Sequence, residues 1–357
     1  MGLPNININF STAAATALER SQKGIVAIIL KDANSTGAYT LTKATQVALQ
    51  LGTIGANNQK YIERAFIGYV NPPKKVIVYV IATTEENLSE ALQYFENVQF
   101  DYLVGPPDCD TTESTEISTW IKAQRAEGFT PKAVLPNMVA DNEGIINFTT
   151  TGIKVDGTTF TTAEYCSRIA GLLAGTPMTI SCTYAPLSEV SMVDKLSKED
   201  IDTAINSGKF VIFSDGEKVK VGRGVNSLQT TTETKGDAFK KIKIVEAVDM
   251  IRNDISKTAE DSYIGKYSNN YDNKCLLISA IKGYFKGLEN DGILETGTST
   301  VDIDAVAQEQ YLQSKGTDTT DMTEQEIRTV ATGDQVFLKS KISILDAIED
   351  IDLSITI

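Results

Sequence analysis

Gly24-Ile25-Val26-Ala27-Ile28-Ile29-Leu30 is an unbroken apolar run of strand length. A strand with one face in water would interleave polar residues, so this one is expected to be covered on both faces, as in a parallel sheet flanked by helices. A helix over roughly residues 42–51 follows, and Lys75-Val76-Ile77-Val78-Tyr79-Val80-Ile81 repeats the covered-strand pattern. Helical spacing over about 85–97 then places Leu88, Leu92 and Phe95 on one face. Phe100-Asp101-Tyr102-Leu103-Val104-Gly105 reads as another strand, closed by Pro106-Pro107. A helix near 113–127 carries Ile117, Trp120 and Ile121, and Lys132 to Pro136 is a further strand. This alternation predicts parallel βαβ units in a layered, mixed α/β domain.

On the N-terminal side, Ser11 to Ser21 is small, polar and weakly helical, which suits a linker. On the C-terminal side, Asn147 to Phe160 reads as a hairpin turning at Asp156-Gly157. A helix at about 162–174 and an extended piece through Tyr184 come next. Ser197-Lys198-Glu199-Asp200 resembles a capping box and opens a short helix to Asn206. Phe210 to Phe213 and Lys218 to Val221 form a second hairpin pattern across Asp215-Gly216. Gly222-Arg223-Gly224 invites a phosphate-loop reading, but it lacks a third glycine and runs into threonines instead of opening a helix.

From Asp237 to about Lys257 the pattern is strongly helical, with Ile242, Val245, Val248, Ile251 and Ile255 on one face. Glu246, Asp249 and Arg252 fall on the other. Asp249 and Asp254 as an acid–base pair is one reading of these carboxylates; a solvated helix face is the plainer one. Further helices are expected at about 273–288, 305–314 and 323–331, the last with Thr323 as cap and Glu326 three residues on. Val301-Asp302-Ile303-Asp304 is a short strand, and Val336 to Ile344 a longer one before an acidic connector, Leu345 to Asp350.

Both tips of the sequence alternate. Ile351-Asp352-Leu353-Ser354-Ile355-Thr356-Ile357 carries apolar residues at every second position and ends without a polar tail; Ile6, Ile8 and Phe10 alternate with asparagines near the start. The tips either tuck into the protein's own sheet or are donated to the sheet edges of neighbouring molecules. Burying four large aliphatic side chains contributes about 6–12 kcal/mol gross, while ordering seven backbone residues costs about 7–14 kcal/mol. One donated arm would therefore be marginal, and many acting together in a lattice would not.

Composition narrows the function. At 357 residues the chain is expected to hold two or three domains, and 41% hydrophobic residues is ordinary for a soluble protein. No apolar run approaches a membrane span, and the first residues are not expected to act as a signal peptide. Lys and Arg number 33 against 47 Asp and Glu, a net charge of −14, which argues against a nucleic-acid-binding surface. The same charge implies a self-repulsion that any homopolymer must overcome, so assembly of that kind should depend on salt. Cys109, Cys166, Cys182 and Cys275 form no C-x-x-C pair and read as reduced core residues. There is no histidine, so Ser-His-Asp and Cys-His arrangements and imidazole zinc sites are excluded. No catalytic, metal or cofactor residues are assigned.

The run from Lys209 onward resembles the sheath proteins of contractile phage tails, especially the short sheaths of defective prophages and phage-tail-like bacteriocins of Gram-positive bacteria. The residues that carry the likeness include Gly208-Lys209-Phe210-Val211, Val221-Gly222-Arg223-Gly224-Val225-Asn226-Ser227-Leu228 and Phe239-Lys240-Lys241-Ile242 through Ile251. Tyr263-Ile264-Gly265-Lys266, Tyr271-Asp272-Asn273-Lys274, Tyr284-Phe285-Lys286-Gly287-Leu288, Glu324 to Arg328 and Ala347 to Leu353 continue it. The first 200 residues fit by length and strand content.

The resemblance implies a subunit that stacks as hexameric discs around an inner tube and whose terminal arms join neighbours' sheets while the lattice contracts. It implies a subtilisin-like central domain, here without a histidine for protease chemistry, and no ATP site. The expected organisation is a strand arm and linker over 1–20 and an α/β sheath region over 21–235, with a split near 90 as one option. A C-terminal α+β domain over 236–345 and a connector with strand arm over 346–357 complete it. Ile351, Leu353, Ile355 and Ile357 are the candidate donated strand, with Ile6, Ile8 and Phe10 as its N-terminal counterpart. Val336, Leu338, Ile342 and Ile344 mark the candidate receiving edge, and Glu324, Glu326 and Arg328 a candidate tube contact. Expected partners are neighbouring copies, the inner tube protein, and baseplate and tail-terminator or collar proteins; neither nucleic acid nor membrane insertion is expected. Such a protein would be assembled in the bacterial host cytoplasm and released within an extracellular particle. The rivals are a soluble α/β hydrolase-like enzyme with an unrecognised nucleophile, and a tube subunit, though tube proteins are generally much shorter.

Overall fold

The computed structural model describes residues 23–356. Ile6, Ile8, Phe10 and Ile357 lie outside the described residues. Two compact units divide the chain: residues 23–249 with 346–356 form one, and residues 250–345 the other.

In the larger unit the chain runs β1 (Ile25–Lys31), β2 (Gly37–Leu41), α1 (Gln46–Gln50), α2 (Ala56–Ala65) and β3 (Lys75–Ile81). Then come α3 (Ser89–Phe95), β4 (Tyr102–Val104), α4 (Thr111–Glu127), β5 (Lys132–Pro136) and β6 (Ile145–Phe148). A hairpin, β7 (Ile153–Val155) and β8 (Thr158–Phe160), precedes α5 (Thr162–Ala174), α6 (Lys198–Asn206) and β9 (Lys209–Phe210). A second hairpin, β10 (Ile212–Ser214) and β11 (Val219–Val221), leads to a 3-10 turn at Asp237–Lys240 and to α7 (Ile242–Ser262), which crosses the unit boundary.

Seven strands form one sheet in the order β2-β3-β1-β4-β5-β6-β9. All pairs are parallel except β2 with β3. The apolar run of β1 is explained by its place at the centre. Val26, Ile28 and Leu30 enter the core that also holds Tyr61, Ile62, Tyr165, Ile169 and Leu173 of α2 and α5. Ala27 and Ile29 enter the core on the other face, with Leu92, Phe95, Ile117 and Ile121 of α3 and α4. Successive side chains of a strand point to opposite faces, so a sheet with two cores requires an unbroken apolar strand.

The structure departs from the sequence reading in five places here. Strand β2 and helix α2 were not anticipated. Asn147 and Phe148 do not open a hairpin; they pair with β5 and β9 in the central sheet, and the hairpin is only β7–β8, with Asp156 (φ 47°) and Gly157 (φ 78°) in its turn. Phe210 likewise belongs to the central sheet, leaving the second hairpin to begin at Ile212. Finally, Glu246 and Asp249 do not lie on a solvated face: they are 5% and 4% exposed. Cationic side chains from the sheet unit meet them, as described below.

In the smaller unit, α8 (Tyr271–Asn290), β12 (Thr300–Ile303), α9 (Ala305–Ser314), α10 (Glu324–Thr329) and β13 (Leu338–Lys341) follow. β12 and β13 form a two-stranded antiparallel sheet with Val301 opposite Ser340 and Ile303 opposite Leu338. The strand expected over 336–344 is shorter: its regular part ends at Lys341, and an isolated bridge joins Ile344 to Leu294.

Candidate assembly interface

Past Leu345 the chain re-enters the larger unit as a short connector and then a tip. The connector is held by charge. Lys241 Nζ meets Asp346, and Arg223 Nη2 lies 2.5 Å from Asp350. Between them Glu349, its side chain 6% exposed, faces Arg223 Nε at 3.4 Å and Lys241 Nζ at 3.8 Å. The hydroxyls of Ser181 and Thr183 donate to Glu349 Oε1 over 2.9 and 2.5 Å. Burial alone would push the Asp346 carboxyl up, but its bond from Lys241 and the Ala347 N–H hold it below the usual carboxylate range.

Beyond Asp350 the described residues form no ladder. Ile351, Leu353 and Ile355 are 83%, 73% and 75% exposed, and Ile348 within the connector is 88% exposed. Asp352, Ser354 and Thr356 between and after them are exposed as well; apolar side chains at i, i+2 and i+4 would share one face if this segment were extended as a strand.

The candidate receiving edge is also open. β13 is one of only two strands in its sheet, so among the described residues its outer edge has no partner. Leu338, Ile342 and Ile344 are half-buried, whereas Val336 is exposed. Lys339, Ser340 and Lys341 are exposed too, and lysines on an open edge deter unspecific pairing.

Helix α10, the candidate tube contact, has its charges engaged within its own unit. Arg328 Nη1 reaches both carboxylate oxygens of Asp302 at 2.8 Å, and Nη2 reaches Glu324 at 2.8 Å. Glu326 closes the capping box with Thr323, and both Glu324 and Glu326 are exposed.

Asp249 and Asp254, the pair weighed for acid–base chemistry, are occupied, and so is Glu246 of α7. Asp249 receives Arg125 and Lys132, Glu246 receives Lys23 and the Tyr102 hydroxyl, and Asp254 accepts from the Tyr284 hydroxyl at 2.6 Å. A groove of about 630 Å³ between α3 and α4 contains Glu116, but that carboxylate accepts the Leu88 N–H and the Ser89 hydroxyl. Burial pushes the thiols of Cys109 and Cys182 up to about 12, away from nucleophilic use. No group of three or more Cys, Asp or Glu side chains among the described residues is placed to hold a metal.

Two family models match the chain: the phage tail sheath protein central domain over residues 82–227 and the phage tail sheath C-terminal domain over residues 234–357. The chain belongs to the phage tail sheath family. A tail sheath protein of Clostridium phage phiCD119 is 40% identical to this sheath chain over 99% of both. The crystal structure of a sheath tail protein from Desulfitobacterium hafniense superposes with a TM-score of 0.71 at 20% identity, covering 84% of this chain and 94% of that one. The contracted helical sheath of the anti-feeding prophage gives 0.72 at 14% identity, covering 100% and 99%. At those identities the two structures speak to fold alone. This sheath chain is a structural protein of a phage tail or a related particle, and its relatives are structural sheath proteins.

The alternation of Ile351, Leu353 and Ile355 was visible in sequence, and so was the acidity of the connector. Its partners were not. Ser181, Thr183, Arg223 and Lys241 lie 105–168 residues away from the carboxylates they hold. The available signal was Gly222-Arg223-Gly224, an anion-loop pattern without a helix behind it.

Proposed function

We propose that this sheath subunit polymerises as stacked hexameric rings around an inner tail tube, linked by donated N- and C-terminal strands. The lattice then contracts and drives the tube through a target envelope. The observation that carries the reading is the exposed apolar alternation of Ile351, Leu353 and Ile355 beyond a connector fixed by ion pairs. A strand added to another molecule's sheet edge puts such side chains on one face, buries them and completes its backbone hydrogen bonds. β13 offers an open edge, and its Lys339 and Lys341 complement Asp350 and Asp352 of the arm.

In this reading Val336, Leu338, Ile342 and Ile344 mark the receiving strand, Ile6, Ile8 and Phe10 form the N-terminal donor, and Ile357 ends the C-terminal one. Glu324, Glu326 and Arg328 face the tube. Neighbouring subunits, the tube protein, the baseplate and the terminator or collar proteins are the partners. The subunit is assembled in the host cytoplasm and leaves it within the particle. Contraction draws on free energy stored in the extended lattice and needs neither catalytic residue nor cofactor.

The test is to express a chain lacking residues 351–357 with its tube protein and image the product by negative-stain microscopy. The expected outcome is a folded, soluble subunit with unchanged circular dichroism and no sheathed rods. Sheathed rods of normal length from the truncated chain would sink the reading.

A further inference from the structure

The Gly222-Arg223-Gly224 segment looks like an anion-binding loop, and in the structure its anion is the chain's own carboxylate. Arg223 spans two acidic side chains at once, Glu349 through Nε and Asp350 through Nη2. The guanidinium does this with two separate nitrogens in a fixed fork, whereas a lysine would have to serve both carboxylates from one. Gly224 lets the opposite wall close. A methyl group at its Cα would stand 2.8 Å from Cys182 Sγ and 3.2 Å from Ser181 Oγ, and its N–H donates to Thr183 Oγ1 at 3.0 Å. Glycine at 224 thus permits the 181–183 segment to come near enough for Ser181 and Thr183 to donate to Glu349.

We infer that Arg223, Ser181 and Thr183 form an exit clamp, positioning residues that hold the connector on its own subunit and aim the terminal strand outward. The inference rests on the donated-strand reading above. The clamp takes the polar side chains of the connector and leaves Ile348 in water, 88% exposed. It therefore sorts the segment: acidic residues are retained in cis, while the apolar set that follows is presented. Fixing the root of a short arm confines its tip to a smaller volume, raising the effective concentration at a neighbour's edge and lowering the entropy lost on docking.

The test uses full-length subunits carrying Arg223→Gln, Arg223→Lys, Glu349→Gln, or Arg223→Gln with Glu349→Gln. Two rates are read: polymerisation by light scattering for every variant and, for those that keep Glu349, release of residues 350–357 by a glutamate-specific protease, identified by mass. Cleavage after Glu349 requires the clamp to open. The expected result for Arg223→Gln is cleavage faster, and polymerisation slower, by about tenfold, with an unchanged melting temperature. Arg223→Lys falls between it and the natural chain, and the double variant polymerises no more slowly than the slower single one. If Arg223→Gln does not fold, Asp350→Asn, whose side chain is 84% exposed, carries the same test with a smaller effect.

Unchanged cleavage and unchanged polymerisation, in a system where loss of 351–357 still abolishes rods, would overturn the clamp and leave strand donation standing. Rods formed without 351–357 would overturn both.

Discussion

Arg125 grips Asp249 with two parallel hydrogen bonds, Nη1 to Oδ2 and Nη2 to Oδ1, each 3.0 Å long. The pair ties the last turn of α4 to α7, and both side chains are at least nine-tenths buried. Lys132 adds a second cation to Asp249 at 3.3 Å, and Arg125 is shared with Glu143. Removing the carboxylate leaves Lys132 without its charge partner and Arg125 with half its own.

Asp249→Ala is therefore expected to destabilise the subunit by about 3–5 kcal/mol, the usual cost of breaking a buried pair from one side. Asp249→Asn, which keeps shape and one acceptor, should cost less. Urea denaturation of the isolated subunit measures both, and a loss under about 0.5 kcal/mol for the alanine variant would contradict the geometry.

The pH profile follows from which groups titrate. With no histidine in the chain, no side chain has an ordinary pKa between 5 and 8, so stability should be flat across that range. Below it the carboxylates act. Burial pushes Glu143 up, but Lys235 and Arg125 more than offset this and hold it below its ordinary 4.5. Glu189 behaves likewise against Arg168, and Asp32 against the N–H groups of Gly55 and Asn34. A depressed carboxyl contributes stability above its unfolded pKa and loses it as pH falls through the folded one. Melting temperature should thus hold between pH 5 and 8 and drop below about pH 4.5; a drop already complete at pH 6 would contradict this.

The parts of the fold that were legible are those where one window of sequence contains the whole cause. β1 is covered on both faces and is apolar from Ile25 to Leu30; Ser197 and Asp200 cap α6 within four residues of each other. α2 was missed because its inward face is only Tyr61, Ile62 and Ala65 in a polar segment. β2 was missed because an edge strand beginning at a glycine, Gly37-Ala38-Tyr39-Thr40-Leu41, buries little. The first half of α7 misled for another reason: residues 242–247 are buried all round, so the charged face is a core face. Its countercharges come from Lys23, Arg125 and Lys132, 117–223 residues away. The assembly tip divides in the same way, since its alternation is local and the grip on its connector is not.

Close approach makes a sharper test of the unanticipated helix. A methyl group on Gly171 of α5 would stand 2.0 Å from the backbone oxygen of Ala65, at the end of α2. Backbone cannot yield as a side chain does, so Gly171→Ala must push the two helices apart in spite of alanine's better helix propensity. The expected loss is about 3 kcal/mol, seen as a lower urea midpoint with unchanged slope. A stabilised variant would mean that α2 and α5 do not cross at this point.

The arm itself makes the last prediction, and it turns on parity. In a strand, Ile351, Leu353 and Ile355 would share one face of the tip, and Asp352 and Ser354 the other. Leu353 is 73% exposed in the subunit, so Leu353→Asp should leave its melting temperature within about 1 °C, in line with substitutions at uncovered surface positions. In the lattice the same change sets a carboxylate where an apolar side chain would be buried, and rods should fail to form. Ser354→Asp introduces the same charge one position along, on the face that stays in water, and rods should form. Sedimentation of the two variants beside the natural chain reads the difference directly. If both assemble, the tip is not a strand with a buried face; if neither does, charge rather than burial controls assembly.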